Sequence, residues 1–171
     1  RWAAEVVYKG QSLVYPVGRS LPRATAELAA AEDWQTHSEK TYVCIEGPHF
    51  STLAESLHYR SIHGDIIGMT NFPEYALARE AGLAYLPCCF VTDFDCWDTD
   101  RPHVTLDEVL DVMRRNNRKA LSIGKKILAS RQPLYETCDC ASQGLKMGLM
   151  TPIGSVPPEA RRGAEIFVGT E

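Results

Sequence analysis

The chain has 171 residues, 44% hydrophobic and 23% charged, with 18 Lys and Arg against 22 Asp and Glu. This composition is ordinary for a globular protein and excludes a collagen, a coiled coil or a disordered tail. The formal net charge of −4 argues against a nucleic-acid binder, which needs a basic face. No window approaches the ~20 apolar residues of a membrane span. The sequence opens on Arg1 rather than Met, which leaves a removed signal or transit peptide open.

Strand-like and helix-like patterns alternate along the first 130 residues. Their order is extended pieces at 5–15, a helix at 23–31, a strand at 41–45, a helix at 52–64, a strand at 65–70, a helix at 73–81, a strand at 83–92 and a long helix at 105–130. The run 83–92 is apolar almost throughout, which is typical of a central strand buried on both faces. The alternation predicts an α/β fold with three layers, a mixed twisted sheet with flanking helices.

Two helix starts share one signature. Thr52 with Glu55, and Thr105 with Glu108, each form a capping box, in which the two side chains bond one another's backbone N–H groups. Gly64 is placed to end the first of these helices. Beyond Tyr135 the pattern weakens, and residues 151–171 contain three prolines and three glycines. We therefore predict a main domain over 1–136, followed over 137–171 by a segment with paired cysteines and a surface extension.

The six cysteines and five histidines show no zinc-finger spacing, and no metal site is predicted. Cys44, Cys88 and Cys89 lie in apolar runs, where a free thiol behaves as a small buried hydrophobe. Cys138 and Cys140 lie in a polar stretch, where a disulfide, a soft-metal site or two unlinked thiols remain open. A reducing cytosol is the default compartment for such a chain.

Three predicted strand ends carry unusual polar residues: 46–51, 68–70 and 92–95. Ligands of open α/β sheets bind outside the carboxyl ends of the strands, so we expect these ends to converge on one crevice. If the last strand continues to Asp95, Asp93 and Asp95 point to the same face. Two such carboxylates repel, so one should hold its proton near neutral pH and the pair would offer one donor and one acceptor. The alternative is a solvated acidic loop; a calcium loop is excluded, because Asp98 occupies the position that requires Gly.

The other candidate residues are individually weaker. Phe50 follows a Gly-Pro turn and could stack on a flat ligand or simply pack. Ser51 and Thr70 offer hydroxyls near a helix start and a strand end, which suits phosphate but also suits capping. His49 could act as an acid or base, although nothing in the sequence pairs with it.

Three ordered segments together resemble one known family. The segments are TYVCIEGPHFSTLAES (41–56), IGMTNFPEYALAREAG (67–82) and TDFDCW (92–97). They are similar to the 5′-methylthioadenosine phosphorylases, which belong to the trimeric purine nucleoside phosphorylase family. The resemblance runs from about Thr41 to Ser130, and the Cys138–Cys140 pair looks like a CxC motif of some microbial members.

The resemblance implies a reaction, in which phosphate attacks C1′ of the thioribose and adenine leaves. It also implies a role for each matching residue. Asp93 would act at N7 of the base as general acid or hydrogen-bond donor, Asp95 would accept from the 6-amino group, Phe50 would pack on the purine and Met69 would lie along the ribose. Ser51 and Thr70 would hold phosphate, and Leu106, Val109 and Leu110 would wall the methylthio pocket. No cofactor is implied, since phosphate is a co-substrate.

Two positions indicate which purine the protein would bind. Relatives that use 6-oxopurine nucleosides carry Glu where this chain has Ser51 and Asn where it has Asp93, so the resemblance favours a 6-aminopurine. The family's glycine-rich phosphate loop, its Arg-His-Gly motif and a further phosphate-binding threonine have no counterpart here. We therefore expect the C-terminal portion of a longer or split phosphorylase in the cytoplasm, acting in purine and methionine salvage. We expect it to assemble as a homotrimer or to pair with the missing N-terminal half. A 6-oxopurine or methylthioinosine phosphorylase and a catalytically inactive subunit remain the alternatives.

Overall fold

A computed structural model describes residue 17 and residues 20–32, 34–101, 104–130 and 150–168. These residues divide into two compact units, one of 17, 20–21, 73–86 and 150–168, the other of 22–32, 34–72, 87–101 and 104–130. The extended pieces predicted at 5–15, the pair Cys138 and Cys140, and the domain boundary predicted at residue 136 lie outside the described residues.

Helices and strands alternate over residues 20–80, as the sequence pattern predicted, and the described elements after them are all helical. The described elements are α1 (Ser20–Ala30), β1 (Tyr42–Cys44), α2 (Leu53–Ser61), β2 (Ile66–Gly68), α3 (Asn71–Glu80), α4 (Leu106–Ala129), a 3₁₀ helix (Ile153–Ser155) and α5 (Pro158–Val168). The predicted α/β class is confirmed. Among these helices, none has the length and apolar character required to cross a bilayer.

The second unit contains a βαβ segment. Strands β1 and β2 run parallel with Tyr42 opposite Ile66 and Cys44 opposite Gly68. Parallel neighbours need a crossover connection, which is usually a helix, and here it contains α2. Gly64 follows α2 and donates to the Tyr59 carbonyl at 2.8 Å, in a space so narrow that a Cβ there would lie 2.9 Å from that oxygen. The glycine predicted to end this helix therefore allows the chain to turn back into β2.

Both predicted capping boxes are confirmed. The Thr52 N–H donates to Glu55 Oε2 at 2.8 Å, while the Glu55 N–H donates to Thr52 Oγ1 at 3.3 Å. Thr105 and Glu108 repeat the arrangement with the same two distances. Each box satisfies backbone donors that the first turn of a helix leaves without partners, so the two signatures define where α2 and α4 begin.

The central strand predicted over 83–92 is wrong for the described structure, because these residues form neither helix nor strand. A strand exists only where a neighbour completes its hydrogen-bond ladder, and β1 and β2 are the only strands in the described ranges. Pro87 interrupts the run and has no N–H to donate. Side chains of the run are also exposed, with Leu83 at 59% and Val91 at 64%.

The C-terminal segment remains a predicted extension, and the predicted burial of three cysteines is wrong. The surface extension predicted over 151–171 contains a 3₁₀ helix and α5, where Arg161 Nη2 donates to the carbonyls of Gly154 and Val156 at 2.8 and 3.0 Å. Val156, within this segment, is buried at 2% exposure. Cys44, Cys88 and Cys89 are exposed rather than buried. Partial desolvation still raises the pKa of the Cys88 and Cys89 thiols.

Candidate active site

A cavity of about 250 Å³ opens beside the carboxyl end of β1 in the second unit. This is where parallel α/β sheets bind their ligands. Its walls come from the end of β1, the following turn and the first two turns of α2: Cys44, Ile45, Glu46, Gly47, His49, Ser51, Glu55 and Tyr59. Of the predicted site residues, Ser51 lines this cavity.

The turn after β1 depends on Gly47. Its φ of +81° lies in the left-handed region, which glycine adopts without a steric penalty. A Cβ at this position would lie 3.0 Å from Met69 Sδ. The loop after β1 therefore approaches the residue that follows β2, and two of the three predicted strand ends meet here. Thr70, the next residue, is exposed.

Phe50 projects from the same turn and is 84% exposed. A side chain with this exposure contributes little to the core, so the packing alternative raised from the sequence is not what the structure has. His49 Nδ1 lies 2.8 Å from the Phe50 carbonyl oxygen, which ties the imidazole to the turn. The exposed ring leaves a face open to a flat ligand.

Residues 95–97, which follow the run predicted as the third strand, contact Ser51 and helix α2 at three points. The Cys96 thiol donates to the Ser51 carbonyl at 3.2 Å, and Ser56 Oγ donates to Asp95 Oδ2 at 2.6 Å. The Arg60 guanidinium lies 3.7 Å from the centroid of the Trp97 ring, a distance that suits a cation–π interaction. Residues 95–97 are thus held against the start and the last turn of α2.

The two aspartates have different environments. The strand condition under which both would point into one pocket is not met, since residues 92–95 form no strand. Asp93 is exposed and accepts from Thr92 Oγ1 at 2.7 Å, whereas Asp95 is half-buried. Neither carboxylate lines the 250 Å³ cavity. Asp95 instead contacts Ser56 of α2.

The predicted methylthio wall occupies the first two turns of α4. Leu106, Val109 and Leu110 have the i, i+3, i+4 spacing of one helix face. Leu106 is 73% exposed and Leu110 is 38% exposed, and none of the three lines the cavity beside β1. The loop after residue 90 is joined to α4 further along, where Asn116 Nδ2 donates to the Val91 carbonyl at 3.0 Å.

The charges around the cavity are negative. Glu46 and Glu55 are its acidic lining residues, and neither Lys nor Arg contributes to the lining. The pKa of Glu55 is lowered, first because the Thr52 N–H donates to its carboxylate and then because the Thr52 hydroxyl does so. A dianionic ligand such as phosphate would therefore need cationic groups beyond these eight residues. Within the described ranges, no three His, Cys, Asp or Glu side chains group together as metal ligands.

Sequence reasoning missed Ser56, Cys96 and Arg60 as partners of the predicted site. The four-residue spacing of Ser56 and Arg60 places them on one face of α2, which is a signal that the sequence does contain. Their partners lie 37 to 45 residues away along the chain, and nothing in the local pattern indicates them.

A cavity at the carboxyl end of β1, with an exposed aromatic ring beside it and an aspartate-bearing loop held against α2, is typical of an α/β protein that binds a small planar ligand. The profile of the Phosphorylase superfamily matches residues 7–129. The chain belongs to this superfamily.

Several similar proteins within this superfamily carry the same enzyme name. The chain is 43% identical over 129 residues to an S-methyl-5′-thioadenosine phosphorylase of Koribacter versatilis, covering 75% of this chain and 44% of that protein. It is 45% identical over 141 residues to the enzyme of the same name from Rhodospirillum rubrum, covering 82% and 48%. The crystal structure of a methylthioadenosine phosphorylase from an antarctic soil metagenomic library superposes with a TM-score of 0.78 at 35% identity, covering 95% and 58%. The chain spans about half the length of these curated relatives.

Proposed function

We propose that the protein containing this chain catalyses the phosphorolysis of 5′-methylthioadenosine to adenine and 5-methylthioribose 1-phosphate. The observation that carries the proposal is the contact of loop 95–97 with α2, which brings Asp95 to the segment that also carries the exposed Phe50. The 43% and 45% identities to S-methyl-5′-thioadenosine phosphorylases support the choice of reaction.

The purine is held by Phe50 and the two aspartates. Phe50 stacks on the base, and its ring is free to do so at 84% exposure. Asp93 donates to N7 as the bond from C1′ to N9 breaks, so the departing adenine does not carry the full negative charge. Asp95 accepts from the 6-amino group. The exposure of Asp93 suits a group that acts on a ligand rather than on the fold.

We expect the ribose and the phosphate to contact residues that follow β1 and β2. Met69 runs along the ribose, while Ser51 and Thr70 hold the phosphate that attacks C1′. Because Glu46 and Glu55 line the cavity beside Ser51, phosphate also requires cationic or N–H donors from outside this lining. No cofactor enters the scheme, since phosphate is the co-substrate.

The methylthio group contacts Leu106, Val109 and Leu110. The exposure of Leu106 at 73% suits a wall that is completed by a ligand or by another polypeptide segment. We propose that a homotrimer, or the remaining part of the subunit, supplies that segment. The protein would then act in the cytoplasm, in purine and methionine salvage.

The test is phosphate-dependent release of adenine from 5′-methylthioadenosine by the protein as isolated from its source. Release that requires phosphate, and is faster than release from 5′-methylthioinosine, is the expected result. Matched rates with the 6-oxo substrate would favour a 6-oxopurine phosphorylase. Absence of release from both substrates would contradict the proposal and favour an inactive subunit.

A further inference from the structure

Helix α2 touches three consecutive residues of the loop that carries the second aspartate. The Ser51 carbonyl just before the helix accepts from Cys96, Ser56 contacts Asp95, and Arg60 lies over Trp97. Residues 56 and 60 are four apart, so both project from one face of the helix. This face of α2 holds the loop in place, and Ser56 on it contacts Asp95, a predicted base-binding residue.

The hydrogen bond from Ser56 is short and shielded from water. Its length is 2.6 Å, which is short for an O–H···O hydrogen bond, and Ser56 is 1% exposed. A serine inside a helix often donates to the carbonyl one turn earlier. Here the hydroxyl instead donates across 39 residues of sequence.

We propose that Ser56 is a positioning residue that determines selectivity for 6-aminopurines. Its hydroxyl donates to Asp95 Oδ2 and thereby fixes the orientation of that carboxylate. The other oxygen, Oδ1, is left to accept from an exocyclic amine. A 6-oxo group has no proton to donate and faces an acceptor, so it is rejected. This inference rests on the proposed function, because it requires Asp95 to face the 6-position of the base.

The contacts of Cys96 and Trp97 allow the orientation of the Asp95 carboxylate to be tested separately from the folding of its loop. The two residues that follow Asp95 are held independently of its carboxylate: Cys96 donates to the Ser51 carbonyl just before α2, and Trp97 lies under Arg60 of α2. Removal of the Ser56 hydroxyl should therefore leave the loop in place and free the carboxylate to rotate. A carboxylate that is no longer held in one orientation does not present a fixed acceptor to the base, and it distinguishes an amine from a carbonyl less well.

The experiment compares wild type with Ser56→Ala in the intact protein. Two quantities are measured: the ratio of kcat/KM for 5′-methylthioadenosine over 5′-methylthioinosine, and the ratio of Kd values for adenine and hypoxanthine by calorimetry. Because a hydrogen bond to a charged group is lost, we expect each ratio to fall about tenfold or more. Ser56→Cys keeps the volume and leaves a weak S–H donor, so its ratios should lie between those of wild type and Ser56→Ala.

Two controls exclude a general effect of altering α2. Ser61→Ala removes a hydroxyl from the same helix, where it donates to the His58 carbonyl at 2.7 Å, and should leave both ratios unchanged. In an Asp95→Asn background, Ser56→Ala should cause no further change in either ratio, since the group through which Ser56 acts has been altered.

The outcomes separate this inference from the proposed function. Wild-type turnover with a 6-amino preference that Ser56→Ala and Ser56→Cys both retain would overturn the role of Ser56 and leave phosphorolysis standing. An inactive wild type that prefers adenine to hypoxanthine, with the preference lost in Ser56→Ala, would support the role of Ser56 and contradict the proposed reaction. A wild type that binds neither base would overturn both.

Discussion

Asp93 and Asp95 are separated by one residue but lie in different environments. Asp95 is half-buried and accepts a 2.6 Å hydrogen bond from the buried Ser56 on α2. Asp93 is exposed and accepts from its neighbour Thr92. One carboxylate is thus oriented by the fold, and the other is left available to a ligand. We propose separate roles for the two carboxylates, with Asp95 accepting from the 6-amino group and Asp93 acting at N7.

Replacement of Asp93 by Asn should reduce turnover far more than binding. The amide cannot transfer a proton to the departing base, so kcat for 5′-methylthioadenosine should fall by about 100-fold or more, while the Kd of adenine changes much less. Asp100→Asn, at an exposed acid of the same loop, is the matched control and should leave kcat as it is. Equal kcat for Asp93→Asn and wild type would remove Asp93 from the mechanism.

Truncation of Phe50 should weaken substrate binding without weakening the fold. Loss of an aromatic face that stacks on a base costs about 1–3 kcal/mol, which predicts a higher KM for 5′-methylthioadenosine in Phe50→Ala. Its free energy of unfolding should match that of wild type, because the side chain is 84% exposed. Leu128→Ala truncates a comparably exposed side chain, at 88%, and should alter neither quantity. A normal KM for Phe50→Ala would argue that the ring does not contact the base.

Gly47→Ala should destabilise the turn that carries the candidate site. The left-handed φ of +81° costs a residue with a Cβ about 1–2 kcal/mol, and the new methyl would lie 3.0 Å from Met69 Sδ. Urea unfolding measures this loss. The control is Gly124→Ala within α4, where a Cβ meets nothing within 4 Å and alanine should stabilise the helix. If both substitutions shift stability in the same direction, backbone conformation at Gly47 is not what limits the turn.

Stability should fall as the solution is acidified, because three carboxylates have lowered pKa values in the folded chain. The pKa values of Glu55 and Glu108 lie below 4.5, chiefly because the N–H of Thr52 or of Thr105 donates to the carboxylate. That of Asp65 lies below 3.8, chiefly through the Thr41 N–H. A lowered folded-state pKa gives stability that is fully present above the unfolded value and is lost as pH falls through the folded value.

Urea unfolding between about pH 6 and about pH 3 should therefore show a falling free energy of unfolding, with a smaller fall in Glu108→Gln. Asp107→Asn removes the same charge from the same turn of α4 but leaves the bonds between Glu108 and Thr105 intact, so it should retain more of the pH dependence. A Glu108→Gln slope equal to that of wild type would show that this capping carboxylate contributes nothing.

Features encoded within a few residues were predictable. Thr52 with Glu55 and Thr105 with Glu108 identified the starts of α2 and α4, since a capping box needs only residues three apart. The strands around 42–44 and 66–68 were also predicted, from apolar β-branched runs bounded by turns. Helix α5 was missed although Pro157 and Pro158 precede a helix-forming stretch, and proline in the first turn is a recognised start signal.

Local sequence by itself determined the helix caps, the turn at Gly47 and the residue types that mark the candidate site. Only the tertiary structure decided that residues 83–92 form no strand, that Cys44 is exposed, and that Ser56 contacts Asp95. The physical reason is the range of the interactions. Caps and turns are satisfied by neighbours along the chain, whereas a strand ladder, the burial of a thiol and a hydrogen bond across 39 residues depend on which distant segments the fold brings together.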